Sequence, residues 1–343
     1  MTRRLLRTVL LALSLVVGTA VFAGDVEDGN AAFEKQDYAT ALKKFKSAAE
    51  KNNFFAQLQV GNFYNEGLGV VQDYAEAVRW WKLAAAQGYA LAQLNLGNMY
   101  DGGKGVVQDY AAAMGWYKLA AAQGVSSAQY NLGVMYSNGQ GVVQDYAEAM
   151  RWYKSAAARG HASSQLNLGS MYSNGQSVVQ DYAEAVRWYK LAAEQGYASA
   201  QFNLGLMYNN GQGGVQDYAE AVRLYRLAAE QGYASAQFNL GLMYNNGQGV
   251  VQDYAEAVRW YRLAAAQGNA SAQSNLAGLY YKGQGVIQSY VLSHMWLNLA
   301  AIKTNQKNAT ARDAISKLMS TQQIAEAQNM ATECQARNFK GCD

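Results

Sequence analysis

The sequence predicts an all-α protein, an α/α superhelical solenoid of antiparallel helix pairs, on three observations. Tyr74, Tyr110, Tyr146, Tyr182, Tyr218, Tyr254 and Tyr290 recur every 36 residues, the first six inside a QDYA string. Gly88, Gly124, Gly160, Gly196, Gly232 and Gly268 keep the same step, as do Gln57, Gln93, Gln129, Gln165, Gln201, Gln237 and Gln273. Finally, the 343 residues contain no proline, so no helix is interrupted by a ring and turns fall to Gly, Asn and Asp. A period of this length marks stacked two-helix units, none of which buries its apolar face alone.

In chain order, residues 1–23 read as a cleaved signal peptide. Arg3, Arg4 and Arg7 form a basic start, Val9 to Val17 an apolar run, and Val21-Phe22-Ala23 a cleavage site ending after Ala23. The apolar run falls short of the roughly 20 residues a membrane span needs, so no integral segment is expected after cleavage. Those three arginines belong to the 28 Lys and Arg of the chain, which leaves 25 bases against 25 acids in the mature part. Neutrality removes the electrostatic argument for nucleic acid or an anionic membrane. The expected compartment is periplasmic or secreted.

Residues 24–53 form a short N-terminal helix pair, where Asp37, Tyr38, Ala41, Leu42, Phe45 and Ala48 match a second helix one period early. Residues 54–304 hold seven 36-residue pairs. Within one, the first helix spans about Ala90 to Tyr100 and is broken by Gly102, Gly103 and Gly105; the second starts at Asp109 and closes before Gly124. Asp73 with Glu76, Asp145 with Glu148, Asp181 with Glu184, Asp217 with Glu220 and Asp253 with Glu256 have capping-box spacing. At 100° per residue, Ala92, Leu96 and Tyr100 share a packing stripe on the first helix, and Tyr74, Ala77, Val78, Trp81, Ala84 and Ala85 share one on the second. Residues 305–343 read as two capping helices that leave the pattern. They carry the only cysteines, Cys334 and Cys342, close enough for a disulfide in an oxidising compartment; the alternative is two free thiols.

The string AQYNLGVMYSNGQGVVQDYAEAMRWYKSAAARG, residues 128–160, resembles the SEL-one-like repeat (SLR) family, a longer-looped relative of the tetratricopeptide repeat. The resemblance runs from about Asn30 to Ile302, and the tail from His294 is similar to the end of exported proteobacterial members. It implies right-handed stacks of helix pairs that serve as adaptors, in bacteria often in envelope assembly or host contact, with the first helices lining a concave groove. The chain departs from the family where Val71, Val107, Val143, Val179 and Val251 stand for Pro, and where Ser177 stands for a loop Gly.

Residues constant among the copies are explained by stacking, so a binding site is sought where copies differ. On the first helices Leu94, Tyr130, Leu166, Phe202 and Phe238 occupy one such position, suited to an extended peptide or a partner helix. The alternative is that they pack between adjacent repeats. The Asn95, Asn131, Asn167, Asn203, Asn239 and Asn275 ladder either bonds a bound peptide or supports neighbouring loops. Trp80, Trp116, Trp152, Trp188 and Trp260 read as half-buried covers between repeats, and Leu224 breaks that series, which speaks against a carbohydrate track. His161 sits in a turn slot and His294 on the last repeat helix; neither is paired in sequence with a Cys or a motif Ser.

The expectation is therefore a scaffold that binds a protein or peptide, with no catalytic residue, metal or cofactor. Two alternatives stand beside it. One is a penicillin-binding or β-lactamase-like enzyme, as among disulfide-rich relatives, though this array lacks their cysteine pair in each repeat. The other is a structural spacer, since Glu194–Gln231 and Glu230–Gln267 are almost copies.

Overall fold

A computed structural model describes residues 23–303, 306–339 and 341–342, within which there are 18 helices and no strand. The leader expected over 1–23 lies outside the described residues except for Ala23, where the first helix begins. In order, the helices are α1 (Ala23–Glu34), α2 (Tyr38–Glu50), α3 (Phe54–Glu66), α4 (Tyr74–Ala86), α5 (Ala90–Gly102), α6 (Tyr110–Ala122), α7 (Ser126–Asn138), α8 (Tyr146–Ala157) and α9 (Ala162–Asn174). There follow α10 (Tyr182–Glu194), α11 (Ala198–Asn210), α12 (Tyr218–Glu230), α13 (Ala234–Asn246), α14 (Tyr254–Ala265), α15 (Ala270–Lys282), α16 (Tyr290–Lys303), α17 (Gln306–Ser316) and α18 (Thr321–Ala336). No helix among the described residues is long and apolar enough to cross a membrane.

The chain divides into two compact units, Met1–Ser164 and Gln165–Asp343, so the division falls within α9. In the first unit α1 packs on α2, α3 on α4, α5 on α6 and α7 on α8, and α2 also packs on α3, α4 on α5 and α6 on α7. The second unit repeats this through α15 and α16, and then α17 and α18 both close on α16. Here Cys334 of α18 is bonded to Cys342, and both lie in the core that holds Met295, Trp296 and Ile315.

Each second helix from α2 to α14 begins where an Asp accepts free backbone amides, and at α16 Ser289 takes that place. Asp73 Oδ1 takes the N–H of Ala75 and of Glu76 at 2.9 and 3.0 Å. The reciprocal half of the expected capping box is absent. The amide of Asp73 is already donated to the Tyr64 carbonyl at 3.0 Å, so Glu76 has no orphan to serve and pairs with Arg79 instead, at 2.6 Å. The same carbonyl bond recurs from Asp109 to Tyr100 and from Asp145 to Tyr136, 2.9 Å each. The complete capping box in the chain's tail is that of Ser320 and Gln323 on α18. The first helices also run further than expected: α5 includes Gly102 and ends on the left-handed Gly103.

Two glycine positions set how closely elements approach. Mid-way along α3, α5, α7, α9, α11 and α13 a glycine faces an aromatic ring twenty residues on. A Cβ on Gly241 would lie 2.6 Å from the Tyr261 ring, and one on Gly205 2.7 Å from Tyr225. At Gly61 the facing ring is Trp81. In the last pair both partners change: Ala277 stands in the glycine position and Leu297 in the aromatic one, both buried. The second position is in the loop. Gly249 has φ +70 and rests against the Tyr218 backbone of the preceding repeat, as Gly105 rests against Tyr74. The expected irregularity at Ser177 is met without altering the loop's fold, because Ser177 adopts φ 60, a left-handed conformation in a residue with a Cβ.

Consecutive pairs are tied by buried glutamines. Gln237 donates to the Ala229 carbonyl at 3.1 Å and accepts from Gln267 at 2.8 Å. Gln57, Gln93 and Gln201 repeat both bonds, with Gln87, Gln123 and Gln231 as donors. One rung is broken. Arg159 occupies the position of Gln123 one period on, and Gln129 Oε1 is buried with no hydrogen-bond partner. An unsatisfied buried acceptor costs about 1–3 kcal/mol. Arg159→Gln is therefore expected to stabilise the first unit by about 1 kcal/mol, seen as a higher denaturation midpoint with an unchanged slope.

Candidate functional site

On the first-helix faces the structure places every variable position at a half-buried site. Leu94 and Tyr130 in the first unit, and Leu166, Phe202 and Phe238 in the second, are neither core nor fully exposed. Their inner edges are used in packing. Tyr130 lies 5.9 Å from the Tyr153 ring and 4.8 Å from that of His161. Phe202 lies 5.9 Å from Tyr225 and 5.2 Å from Tyr233, and Phe238 is 6.0 Å from Tyr261. The same faces carry Asn98, which is exposed, and the half-buried Val134, Leu206 and Leu242. Each unit thus offers a strip of apolar edges between amides.

The asparagine ladder is largely engaged within the protein. Asn95 donates to Asn62 Oδ1 at 3.4 Å and Asn131 to Asn98 Oδ1 at 3.2 Å, an oxygen that also accepts the Tyr117 hydroxyl at 2.9 Å. Asn275 donates to the Tyr261 hydroxyl at 3.2 Å, and Asn203 bonds the Tyr189 hydroxyl, which also meets Ser170 at 3.1 Å. Asn167 and Asn239 are half-buried on the same line. These seam tyrosines are held neutral. Burial raises Tyr117 and Tyr225, with Asp101 adding to the rise at Tyr117. Tyr261 is pushed up to about 12 by burial, against the opposing bond from Asn275.

The tryptophans are covers, two of them more deeply placed than expected. Trp80 and Trp260 are buried, and Trp116, Trp152 and Trp188 are half-buried. Trp116, Trp152 and Trp260 each join the core of the preceding repeat.

Both histidines have structural work. His161 stands one residue before α9, and its Nδ1 accepts the Ser164 amide at 3.3 Å. That is an N-cap, made at the same slot by Asn53 to Ala56 and Asn269 to Ala272. It requires an imidazole neutral at Nδ1, and burial lowers the His161 pKa. The folded state therefore binds fewer protons than the unfolded one. The stabilisation is present above the ordinary value of 6.5 and is lost as pH falls through the lower folded value. His161→Asn keeps the cap with a group that does not titrate. It is expected to flatten the dependence of melting temperature on pH between about 5 and 7.

His294 does meet a serine in space, one the sequence places 22 residues away: its Nε2 is 3.0 Å from Ser316 Oγ. The network runs the wrong way for a nucleophile. Asn298 Nδ2 donates to Nδ1 at 3.3 Å and Ser316 donates to the Arg312 carbonyl at 3.1 Å. With that assignment Nε2 carries the hydrogen and donates to Ser316, so the ring holds α16 to α17 rather than accepting the hydroxyl proton. Among the described residues no three His, Cys, Asp or Glu side chains gather where a metal could bind.

Seven consecutive segments, residues 55–89, 90–125, 126–161, 162–197, 198–233, 234–269 and 270–305, match the family model described as Sel1 repeat. The crystal structure of a protective antigen present in uropathogenic Escherichia coli strains, displaying an SLR fold, is 33% identical with a TM-score of 0.84, over 93% of this chain and 70% of that one. A Sel1 repeat protein from Oxalobacter formigenes is 30% identical with a TM-score of 0.62, over 70% of this chain and 96% of that one. No curated protein matches the chain.

Proposed function

The chain belongs to the Sel1 repeat family, whose members are in general protein–protein interaction scaffolds and not enzymes, and we propose that it binds a polypeptide along the first-helix faces of its units. The observation that carries this reading is the division of labour among residues. The repeated Gln and Gly positions are consumed by the interior, whereas Leu94, Tyr130, Leu166, Phe202 and Phe238 vary and keep an edge in solvent. Apolar edges beside amides suit a segment that offers both side chains and backbone groups. The protein is exported after cleavage behind Ala23 and works in the envelope or in host contact, a placement supported by its basic-then-apolar start and by likeness to an antigen of uropathogenic bacteria.

A photo-crosslinking amino acid placed at Asn98, Val134, Leu206 and Leu242 in the exported protein tests the reading. Adducts are expected from these positions, and joint substitution of Tyr130, Phe202 and Phe238 by Ala should reduce them about tenfold while the helical circular dichroism persists. Adducts arising instead from Leu119 and Leu191, exposed on the second helices, would overturn it.

A further inference from the structure

We propose that the second unit holds a socket for an indole ring, presented by a tryptophan of a partner polypeptide, at the one internal repeat where the chain's own tryptophan is replaced by Leu224. The socket does not use the first-helix faces, so it stands or falls separately from their assignment.

In its own copies the chain shows how an indole is held. Trp260 joins a core that includes Ala229 and Leu240, with Tyr244 against it. Its Nε1 donates to Glu256 at 3.0 Å, and the Arg259 guanidinium lies 5.0 Å from the ring centre. Trp80 repeats the set with Ala49, Val60 and Tyr64 around it, Glu76 at 2.8 Å and Arg79 at 4.5 Å. In these two copies the indole receives an apolar wall, a carboxylate acceptor and a cation over its face, whereas Trp152 and Trp188 hold the slot with Nε1 unpaired.

At Leu224 the ring is missing and its holders remain. A hollow of about 490 Å³ is lined by Ala193, Leu204, Tyr208, Glu220, Arg223 and Leu224, with three further residues at its edge and Lys190 and Glu194 on its rim. Ala193, Leu204 and Tyr208 precede Ala229, Leu240 and Tyr244 by one period, so this is the wall that Trp260 covers elsewhere. Leu224 is 2% exposed and forms part of the floor. Glu220 grips Arg223 at 2.8 and 2.6 Å, as Glu76 grips Arg79. In the Trp80 copy the oxygen that takes the closer arginine bond accepts the indole N–H as well. The corresponding Glu220 Oε1 has that capacity left for a donor from outside. A rim of opposite charges, Lys190 and Glu194, suits the flanking polar groups of a peptide, and a free indole would leave it unused.

The probe is a blocked glycyl-fluorotryptophanyl-glycine amide, followed by fluorine NMR against the purified chain. Saturable broadening is expected. Leu224→Trp should fill the slot, weaken binding at least about tenfold, and raise the melting temperature. Glu220→Ala, at a surface position, should weaken binding about fivefold, which keeps the test decisive if the tryptophan variant misfolds. A phenylalanine peptide, with no N–H to give, should bind about tenfold more weakly. Absence of binding to the unaltered protein, equal binding by the Leu224→Trp chain, equal binding of the phenylalanine peptide, or binding of free indole without binding of the peptide would each overturn the proposal.

Discussion

Gly241→Ala is expected to destabilise the α13–α14 pair by about 1–3 kcal/mol, the usual penalty of an added methyl in a filled interior. The added carbon would stand 2.6 Å from the Tyr261 ring, and that ring is fully buried, so it has nowhere to move. Tyr261→Leu alone should also cost about 1–3 kcal/mol, through the cavity it leaves. Together the two changes reproduce what the protein itself carries at Ala277 and Leu297. The double variant should therefore lose at least about 1 kcal/mol less than the sum of the singles. Denaturation midpoints of the four proteins check this. Additive losses would show that the two positions do not share one space.

Gly249→Ala is expected to cost about 2–4 kcal/mol. The left-handed backbone at φ +70 accounts for about 1–2 kcal/mol of that in a residue with a Cβ, and displacement from the Tyr218 backbone for the remainder. The converse change is already provided by the chain. Ser177 holds the same loop position two repeats back, at φ 60, so Ser177→Gly should stabilise by about 1 kcal/mol. Opposite signs for these two substitutions, measured as melting temperatures, are the distinguishing result. A neutral Gly249→Ala would mean that the loop does not lie against the preceding helix.

The repeating framework was legible because it is written in periodicity. The tyrosine step, the Asp at the second-helix starts up to α14 and the glycine stops all locate helices through local geometry that a single residue type decides. Connectivity was not legible in the same way. Gln57 recurs every 36 residues and Gln87 does so except at Arg159, but nothing in either series says that they bond to each other across thirty residues. The capping box failed for a related reason: Glu76 has the right spacing, and the amide it would serve is taken by a carbonyl nine residues upstream. The pattern places His161 only in a turn slot, because its cap lies in one lone pair aimed at the Ser164 amide. The first-helix faces were found by the variation among copies, yet how far Phe202 and Phe238 lean on neighbouring tyrosines depends on side-chain directions that periodicity leaves open.

The glutamine rungs reach no further than 35 residues along the chain, as in the bond from Gln267 to the Gly232 carbonyl. Ties this local give a low contact order, so little chain entropy is spent before a pair gains its neighbour. A chain that emerges end first can then acquire structure from its leading end, each newly emerged pair docking on one already formed. The bond between Cys334 and Cys342 closes the segment that emerges last.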